Sequence, residues 1–417
     1  MATIPSLALI PSGYKASKVY SVLPTDGTGD FDFTRSGSTT RVNSEGLIET
    51  VGSNVPRLNY PLIDGVVSGC PSLGLEPIRI NLFPYSEDFT NNAWAKTRTT
   101  ATANSTTSPN GGVNASLITA TESTAGYVFD GATLTQGLKY FVSVFFKQGS
   151  YGGNVIISDF TESGVVTFNL TTKTIITSGI ASDASYEDYG NGWFRVMASI
   201  TPTISTGNHN IVFGNFGGVG NSIYIWGAQL EAGSYPTSYI PSLTGSQTTR
   251  SAETCINAGD VNTFNDSEGV LFAEISALAS TVPTYTSIGL GSGSSNNRIG
   301  FGFVTPSNIY VFKRTTSSWN TNKLVNINES NKVAISYNTN DNHFWLNGFK
   351  IASDATIGDL VQPTGLGFRA SYGGEQFYGN TKQIQYFNTA LNDSDLETLT
   401  SWDSFSDMAT GQLYTIE

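Results

Sequence analysis

The chain has 417 residues, a formal net charge of -12, 44 glycines and only 13% charged residues. That length asks for two or three domains, and the acidic balance excludes nucleic acid and anionic membrane surfaces as partners, because both need a basic footprint. An aromatic content of 12% at low charge density excludes a disordered chain. Short runs of β-branched and aromatic residues separated by Gly, Asn and Ser turns are the pattern of an all-β protein. Residues 1–75 come first and read as an irregular arm, punctuated by Pro5, Pro11, Pro24, Pro56, Pro61 and Pro71. Phe31-Asp-Phe-Thr alternates as a strand does, and Arg41 to Glu49 reads as a hairpin turning at Glu45-Gly46. The arm is too poor in apolar residues to hold a core of its own, so it must pack on the module that follows or on another subunit.

Residues 76–245 form the first substantial domain. Tyr140-Phe-Val-Ser-Val-Phe-Phe-Lys, Asn154-Val-Ile-Ile-Ser-Asp-Phe, Val165-Val-Thr-Phe-Asn-Leu, Trp193-Phe-Arg-Val-Met-Ala-Ser-Ile, Asn210-Ile-Val-Phe-Gly and Ser222-Ile-Tyr-Ile-Trp are strands, with turn signals between them. Short strands at this spacing, with no helical period between them, predict a sandwich or barrel. Residues 250–417 repeat that architecture. Gly269-Val-Leu-Phe-Ala-Glu-Ile-Ser, Arg298-Ile-Gly-Phe-Gly-Phe-Val, Asn308-Ile-Tyr-Val-Phe-Lys-Arg and Lys332-Val-Ala-Ile-Ser-Tyr are strands, and His343 to Ile351 is a hairpin turning at Asn347-Gly348. Gly379 to Asn388 reads as the last strand. A short helix follows, with an Asn or Asp cap and Leu396 and Leu399 at helical spacing.

Two long motifs carry a resemblance. The stretch Leu73-Gly-Leu-Glu-Pro-Ile-Arg-Ile-Asn-Leu-Phe-Pro-Tyr-Ser-Glu-Asp-Phe-Thr-Asn-Asn-Ala-Trp94 resembles the opening of the carbohydrate-binding-type jelly rolls of bacteriophage fibre and spike proteins. Ile223-Tyr-Ile-Trp-Gly-Ala-Gln-Leu-Glu-Ala-Gly-Ser-Tyr-Pro-Thr-Ser-Tyr-Ile-Pro-Ser242 resembles their closing strand. The arm, with Phe33-Thr-Arg-Ser-Gly, Arg41-Val-Asn and Gly46-Leu-Ile-Glu, looks like the segment that precedes the module there. Residues 265–405, with Trp345-Leu-Asn-Gly in a hairpin and Tyr386-Phe-Asn before a helix, resemble a laminin-G or concanavalin A-like lectin sandwich.

The expected architecture is therefore all-β, with two tandem antiparallel β-sandwiches, a jelly roll and then a concanavalin A-like one, behind an N-terminal arm. The resemblance implies a virion structural protein of the head or tail fibre or spike type, adhering to a host-surface glycan. It also implies a homotrimer joined through the arm to other virion proteins, so that removing the first 70 residues would leave soluble sandwiches. The start of the chain lacks the basic and apolar regions of a signal peptide, and no run approaches the roughly 18 apolar residues that span a bilayer. A protein made in the host cytoplasm and placed on the virion surface, without insertion into a membrane, fits these features. A ligand-free capsid decoration protein and a tailspike-type glycan depolymerase are the alternatives.

No catalytic constellation stands out. His209 and His343 are the only histidines and lie in different domains, so neither a Ser-His-Asp triad nor a histidine-rich zinc site can be assembled. His209 reads as a turn residue and His343 as exposed. Glu187 and Asp188 are neighbours and would point to opposite faces of a strand, so they cannot flank one glycosidic bond. The expectation is that the chain is no enzyme. A sugar site needs an exposed aromatic face beside polar groups, and the candidates are Trp345, Trp94, Trp319 and Tyr372, whereas Trp226 reads as core. No cofactor is called for. Calcium, a common partner of lectin sandwiches, finds Asn340-Asp341-Asn342 and Asn392-Asp393-Ser394-Asp395 at turn and helix-cap positions, and no ligand can be named. Cys70 and Cys255 fall in different regions and read as free thiols unless those regions touch.

Overall fold

The computed structural model describes residues 4–204, 207–279, 282 and 284–402. The fold is almost entirely antiparallel β, with a single short helix, Asp393–Thr400, among the described residues. Two sandwiches account for most of it.

The first sandwich packs two six-stranded sheets face to face. One runs in the order Ala95–Thr97, Gly126–Leu134, Gly207–Phe216, Asn154–Asp159, Gly164–Asn169, Ile175–Ser178. The other runs Thr99–Thr107, Val113–Ala120, Ser222–Ala232, Tyr140–Gln148, Trp193–Ile200, Ala181–Asp188. Alternation along each strand sends Val142, Val144 and Phe146, Ile211 and Phe213, and Ile223 and Ile225 into one apolar core. The outer side of the second sheet carries Phe145, Trp193 and Trp226. Tyr239 from the extended segment after the closing strand and Ile48 from the N-terminal hairpin cover them.

The second sandwich is assembled from distant parts of the chain. Its larger sheet runs Phe349–Asp354, Asp341–Leu346, Asn331–Asn338, Gly269–Ala277, Gly379–Phe387, Ser72–Leu75, Arg57–Asn59, and Leu7–Leu9 also pairs with Gly379–Phe387. Its smaller sheet runs Ser318–Leu324, Asn308–Arg314, Arg298–Val304, Thr286–Gly291, Gly365–Gly367. Leu7, Leu9, Phe31, Phe33, Leu58, Leu73 and Leu75 sit in the same core as Ile299, Phe301, Ile335 and Tyr386. The segment that reads as an arm thus supplies core strands to the C-terminal sandwich. The expectation that both sandwiches survive removal of the first 70 residues is corrected, because that cut would strip apolar side chains out of a packed core.

The first sandwich leaves and rejoins the rest of the chain at one place. Arg79–Asn81 pairs with Thr248–Arg250, and the Glu253 amide donates to the Glu76 carbonyl at 3.1 Å. Beside this junction lies a buried ionic network. Arg57 faces Glu253 at 2.5 Å and Glu76 at 3.0 Å, Arg250 faces Glu76 at 2.6 Å, and Arg35 faces Glu253 at 2.8 Å. Burial acts to raise the Glu76 pKa, but the charges of Arg250 and Arg57 and the hydrogen bonds from Ser238 outweigh it and hold it down at about 2. Every one of these five groups has an oppositely charged partner within 3.0 Å, which is what allows such groups inside. Cys70 is exposed and Cys255 buried, and both are free thiols.

The helix begins at Asn392, whose side chain accepts from the Asp395 amide. It lays Leu396 and Leu399 on the outer side of the large sheet, over Val270, Phe272, Trp345 and Phe387. No helix among the described residues is long and apolar enough to cross a membrane.

Candidate functional site

With its large sheet covered by the helix, the second sandwich presents the outer face of its small sheet. Strand register lays this face out in rows. Asn322, Tyr310, Gly302 and Ser287 lie across one row, and Asn320, Phe312, Gly300, Gly289 and Gly367 across the next. Ser318, Arg314, Arg298, Gly291 and Gly365 form the third. The glycines are sterically required here. A Cβ at Gly302 would lie 1.7 Å from the Thr286 carbonyl oxygen, and one at Gly300 would lie 2.2 Å from that of Ile288 and 2.9 Å from the Phe312 ring. The Phe312 ring lies across Gly300, and Tyr310 stacks on Phe312 at 5.5 Å between centroids.

Beside these rings is a cavity of about 320 Å³ lined by Tyr285, Arg298, Tyr310, Phe312, Arg314, Asn320, Asn322 and Glu375, among others. A second cavity of about 460 Å³ adjoins it, sharing Tyr285 and Glu375 and adding Gln376 and Tyr378. Tyr285 and Tyr372 are 55% and 42% exposed, so they offer ring faces to solvent, whereas Tyr310 and Phe312 are nearly covered.

Glu375 organises the polar groups. Its Oε2 accepts from Ser287 Oγ at 2.7 Å and from the Tyr310 hydroxyl at 3.2 Å, and its Oε1 accepts from the Tyr372 hydroxyl at 2.8 Å. Arg298 Nη1 approaches at 3.4 Å. Burial acts to raise the Glu375 pKa, but the hydrogen bonds from Ser287 and Tyr372 and the Arg298 charge hold the carboxyl below its usual value. Burial, chiefly, raises the Tyr310 phenol, so it stays a neutral donor. Glu375 is held at φ 51, a backbone region non-glycine residues enter rarely, and its carbonyl accepts from the Ser287 amide at 2.8 Å. The Arg298 guanidinium is clamped between the Phe312 and Tyr372 rings, 4.6 Å from each centroid.

Of the aromatic candidates read from the sequence, Tyr372 belongs to this face and the three tryptophans do not. Trp94 is fully buried in the first core against Phe83, Phe89 and Phe213, and its indole N–H donates to the Tyr85 carbonyl at 3.0 Å. Trp345 is 6% exposed, because the helix Asp393–Thr400 docks over it. Trp319, on the strand next to Phe312, turns the other way and packs against the interior core. Trp94 and Trp345 present no free face for a sugar, and Trp319 is half-buried. Tyr285, Tyr310, Phe312, Arg298 and Glu375 were missed. Their signal was present in Arg298-Ile-Gly-Phe-Gly-Phe and Asn308-Ile-Tyr-Val-Phe-Lys-Arg, where outward positions are glycine on one strand and aromatic on its neighbour.

The readings of the two histidines are corrected as well. His209 is 1% exposed and lies within Gly207–Phe216, its Nδ1 2.7 Å from a carboxylate oxygen of the buried Asp159, so it is no turn residue. His343 is half-buried beside Asp341 and Ser353. Glu187 and Asp188 end the strand Ala181–Asp188, and Glu187 faces Arg195 at 3.9 Å. Asn342 is buried and accepts from Lys313 Nζ at 2.9 Å, while Asn392 caps the helix. Among the described residues no group of three or more His, Cys, Asp and Glu side chains is placed to hold a metal ion.

No protein-family model matches the chain, and no curated protein matches it. Solved structures resemble parts of it. One is the carbohydrate-binding module CBM40 of the Ruminococcus gnavus IT-sialidase, bound to α2,3 sialyllactose. It is 15% identical, over 33% of this chain and 84% of that one, with a TM-score of 0.29. Domain 4 of AbnA, an extracellular arabinanase of Geobacillus stearothermophilus in complex with arabinotriose, is 12% identical over 36% and 73%, with a TM-score of 0.32. The Trypanosoma rangeli sialidase in complex with sialic acid is 11% identical over 72% and 62%, with a TM-score of 0.29. The shared ground is all-β construction. The expectation that the chain is no enzyme is corrected here. Sialidases and an arabinanase domain are among the structures it resembles in part, so a non-catalytic role is not established for it.

Proposed function

We propose that the chain is a glycan-binding protein whose sugar site is the hollow outer face of the small C-terminal sheet. One observation carries this reading: the exposed Tyr285 lines a cavity whose Glu375 already has its hydrogen bonds fixed by Ser287, Tyr310 and the exposed Tyr372. An exposed ring stacks on the C–H face of a sugar, while prearranged carboxylate, amide and guanidinium groups orient its hydroxyls. Asn320 and Asn322 add amides of the kind that pair with adjacent hydroxyls. The carbohydrate-bound modules among the similar structures agree with this reading in kind.

The wider setting belongs to the same proposal. The chain is displayed on a virion surface as a homotrimeric fibre or spike, joined to other virion proteins through residues 1–75 and directed at host-surface glycans. The motifs around Leu73–Trp94 and Ile223–Ser242 support it by resemblance. Exposed Ile10, Val22, Ile63 and Val66 leave apolar side chains on that region for partners to cover.

A glycan array probed with the wild-type chain and with Y285A tests the sugar site. Binding by the wild type that Y285A weakens is expected, and flat wild-type signals across the array would overturn the site. Antibody labelling of particles in a phage lysate, viewed by electron microscopy, tests the setting. Label on no particle would remove the virion from the reading and leave the sugar site standing.

A further inference from the structure

The outer face of the small sheet carries an unbalanced charge. Arg298 and Arg314 are direct cross-strand partners, and like charges in that position repel. Glu375 is the carboxylate that meets them, 3.4 Å from Arg298 Nη1. Arg314 forms no ion pair among the described residues, and its Nε is buried without a hydrogen-bond partner. Arg369 lines the cleft of about 230 Å³ next door, walled by Gly289, Gly291, Gly365 and Gly367, and it too has no ion pair among the described residues. Two guanidiniums thus share one carboxylate, and a third lines the cleft next door, on a chain whose net charge is -12.

Such an arrangement weakens the fold locally, and the same chain shows how it balances charge when stability is the purpose. In the network at the junction, Arg35, Arg57 and Arg250 each reach a glutamate within 3.0 Å. Uncompensated like charges in an open cavity are accounted for when a ligand brings the missing negative charge. Arg298 is also preorganised. Its guanidinium plane is fixed between two rings, with Nε donating to the Ser295 carbonyl at 3.2 Å, and a fixed planar fork matches a carboxylate or sulfate in two-point contact.

We propose that the site takes an acidic saccharide. An oxyanion of the sugar, a carboxylate or a sulfate ester, lies between Arg298 and Arg314, and the sugar ring rests against Tyr285. This rests on the sugar site proposed above and names its ligand class.

Titration calorimetry on the full chain tests it with three probes: trigalacturonate, a neutral galactose trisaccharide and the 6-sulfated form of that trisaccharide. An acidic probe is expected to bind roughly tenfold or more tightly than the neutral one, as hydrogen bonds to charged groups require, with the preference shrinking as salt rises. Whichever acidic probe wins identifies the anion as carboxylate or sulfate. R314Q should abolish the preference, and R314K should keep part of it. Thermal melting of R314Q should be no lower than wild type, since a like-charge contact is relieved, whereas a purely structural arginine would lower it. Equal binding of acidic and neutral probes overturns the acidic assignment and leaves the sugar site intact. No binding of any probe overturns both.

Discussion

The two sandwiches reach similar architectures by opposite routes. The first draws its core from one continuous stretch, Phe83 to Leu230. The second gathers Leu7, Phe31 and Leu73 from one end of the sequence and Ile275, Ile335 and Tyr386 from the other. Contacts of the first kind close loops no longer than that between Asn81 and Leu230, 149 residues apart, whereas the second must close loops as long as that between Ser6 and Tyr386, 380 residues apart. The proposed site lies on the second sandwich, on the sheet opposite the one that receives the N-terminal strands and the helix. That sheet is anchored from behind and open in front, which suits a surface meant to hold fixed groups toward solvent.

The sharpest way to break this comparison is to delete residues 1–70. Calorimetry should then show the unfolding transition of the first sandwich alone, with the second insoluble or molten. Two native-like transitions in the truncated protein would refute the shared core. Next in size, E253A leaves Arg35 buried without a carboxylate and Arg57 with Glu76 alone, and about 3–5 kcal/mol should be lost in chemical denaturation. A loss under 1 kcal/mol would show that water or rearrangement replaces the pair.

Acid sharpens the same point. Glu76 titrates at about 2 in the folded chain against 4.5 as its ordinary value. Its contribution is whole above pH 4.5 and disappears as pH falls from there through about 2. Urea melts at stepped pH should show the decline steepening in that window, and E76Q should flatten it. Smallest in stability is Y285A. Its ring is mostly exposed, so unfolding should move by no more than about 0.5 kcal/mol, while sugar affinity should fall by about 1–2 kcal/mol in calorimetry. A stability loss matching the affinity loss would make Tyr285 a packing residue.

Strand content was legible because alternation is local. Arg298 to Val304 and Asn308 to Arg314 announce their inward and outward faces in every second residue, and Asn347-Gly348 announces its turn with Asn347 at φ 49. Pairing between distant strands has no such local mark. Nothing in Leu7-Ala-Leu names Tyr386 as its neighbour, and so the strands before Leu75 read as an arm. Tryptophans misled for a related reason. Alternation says that Trp345 faces away from the core but is silent about the helix that covers that face. The cavity escaped notice because its lining comes from separate parts of the chain, Tyr310 and Phe312 on one strand, Asn320 and Asn322 on its neighbour, and Tyr285 and Glu375 beyond them.

The meeting of Arg79–Asn81 with Thr248–Arg250 has a mechanical consequence. Leu7–Leu9 and Gly379–Phe387 pair antiparallel with Leu7 beside Tyr386, so tension entering at Leu7 and leaving at Phe387 peels their hydrogen bonds apart one after another. The first sandwich hangs off that line as a side branch, closed at its own base by the two short strands. A pull that ruptured the second sandwich would leave the first folded until the clasp at Arg79–Asn81 unzipped.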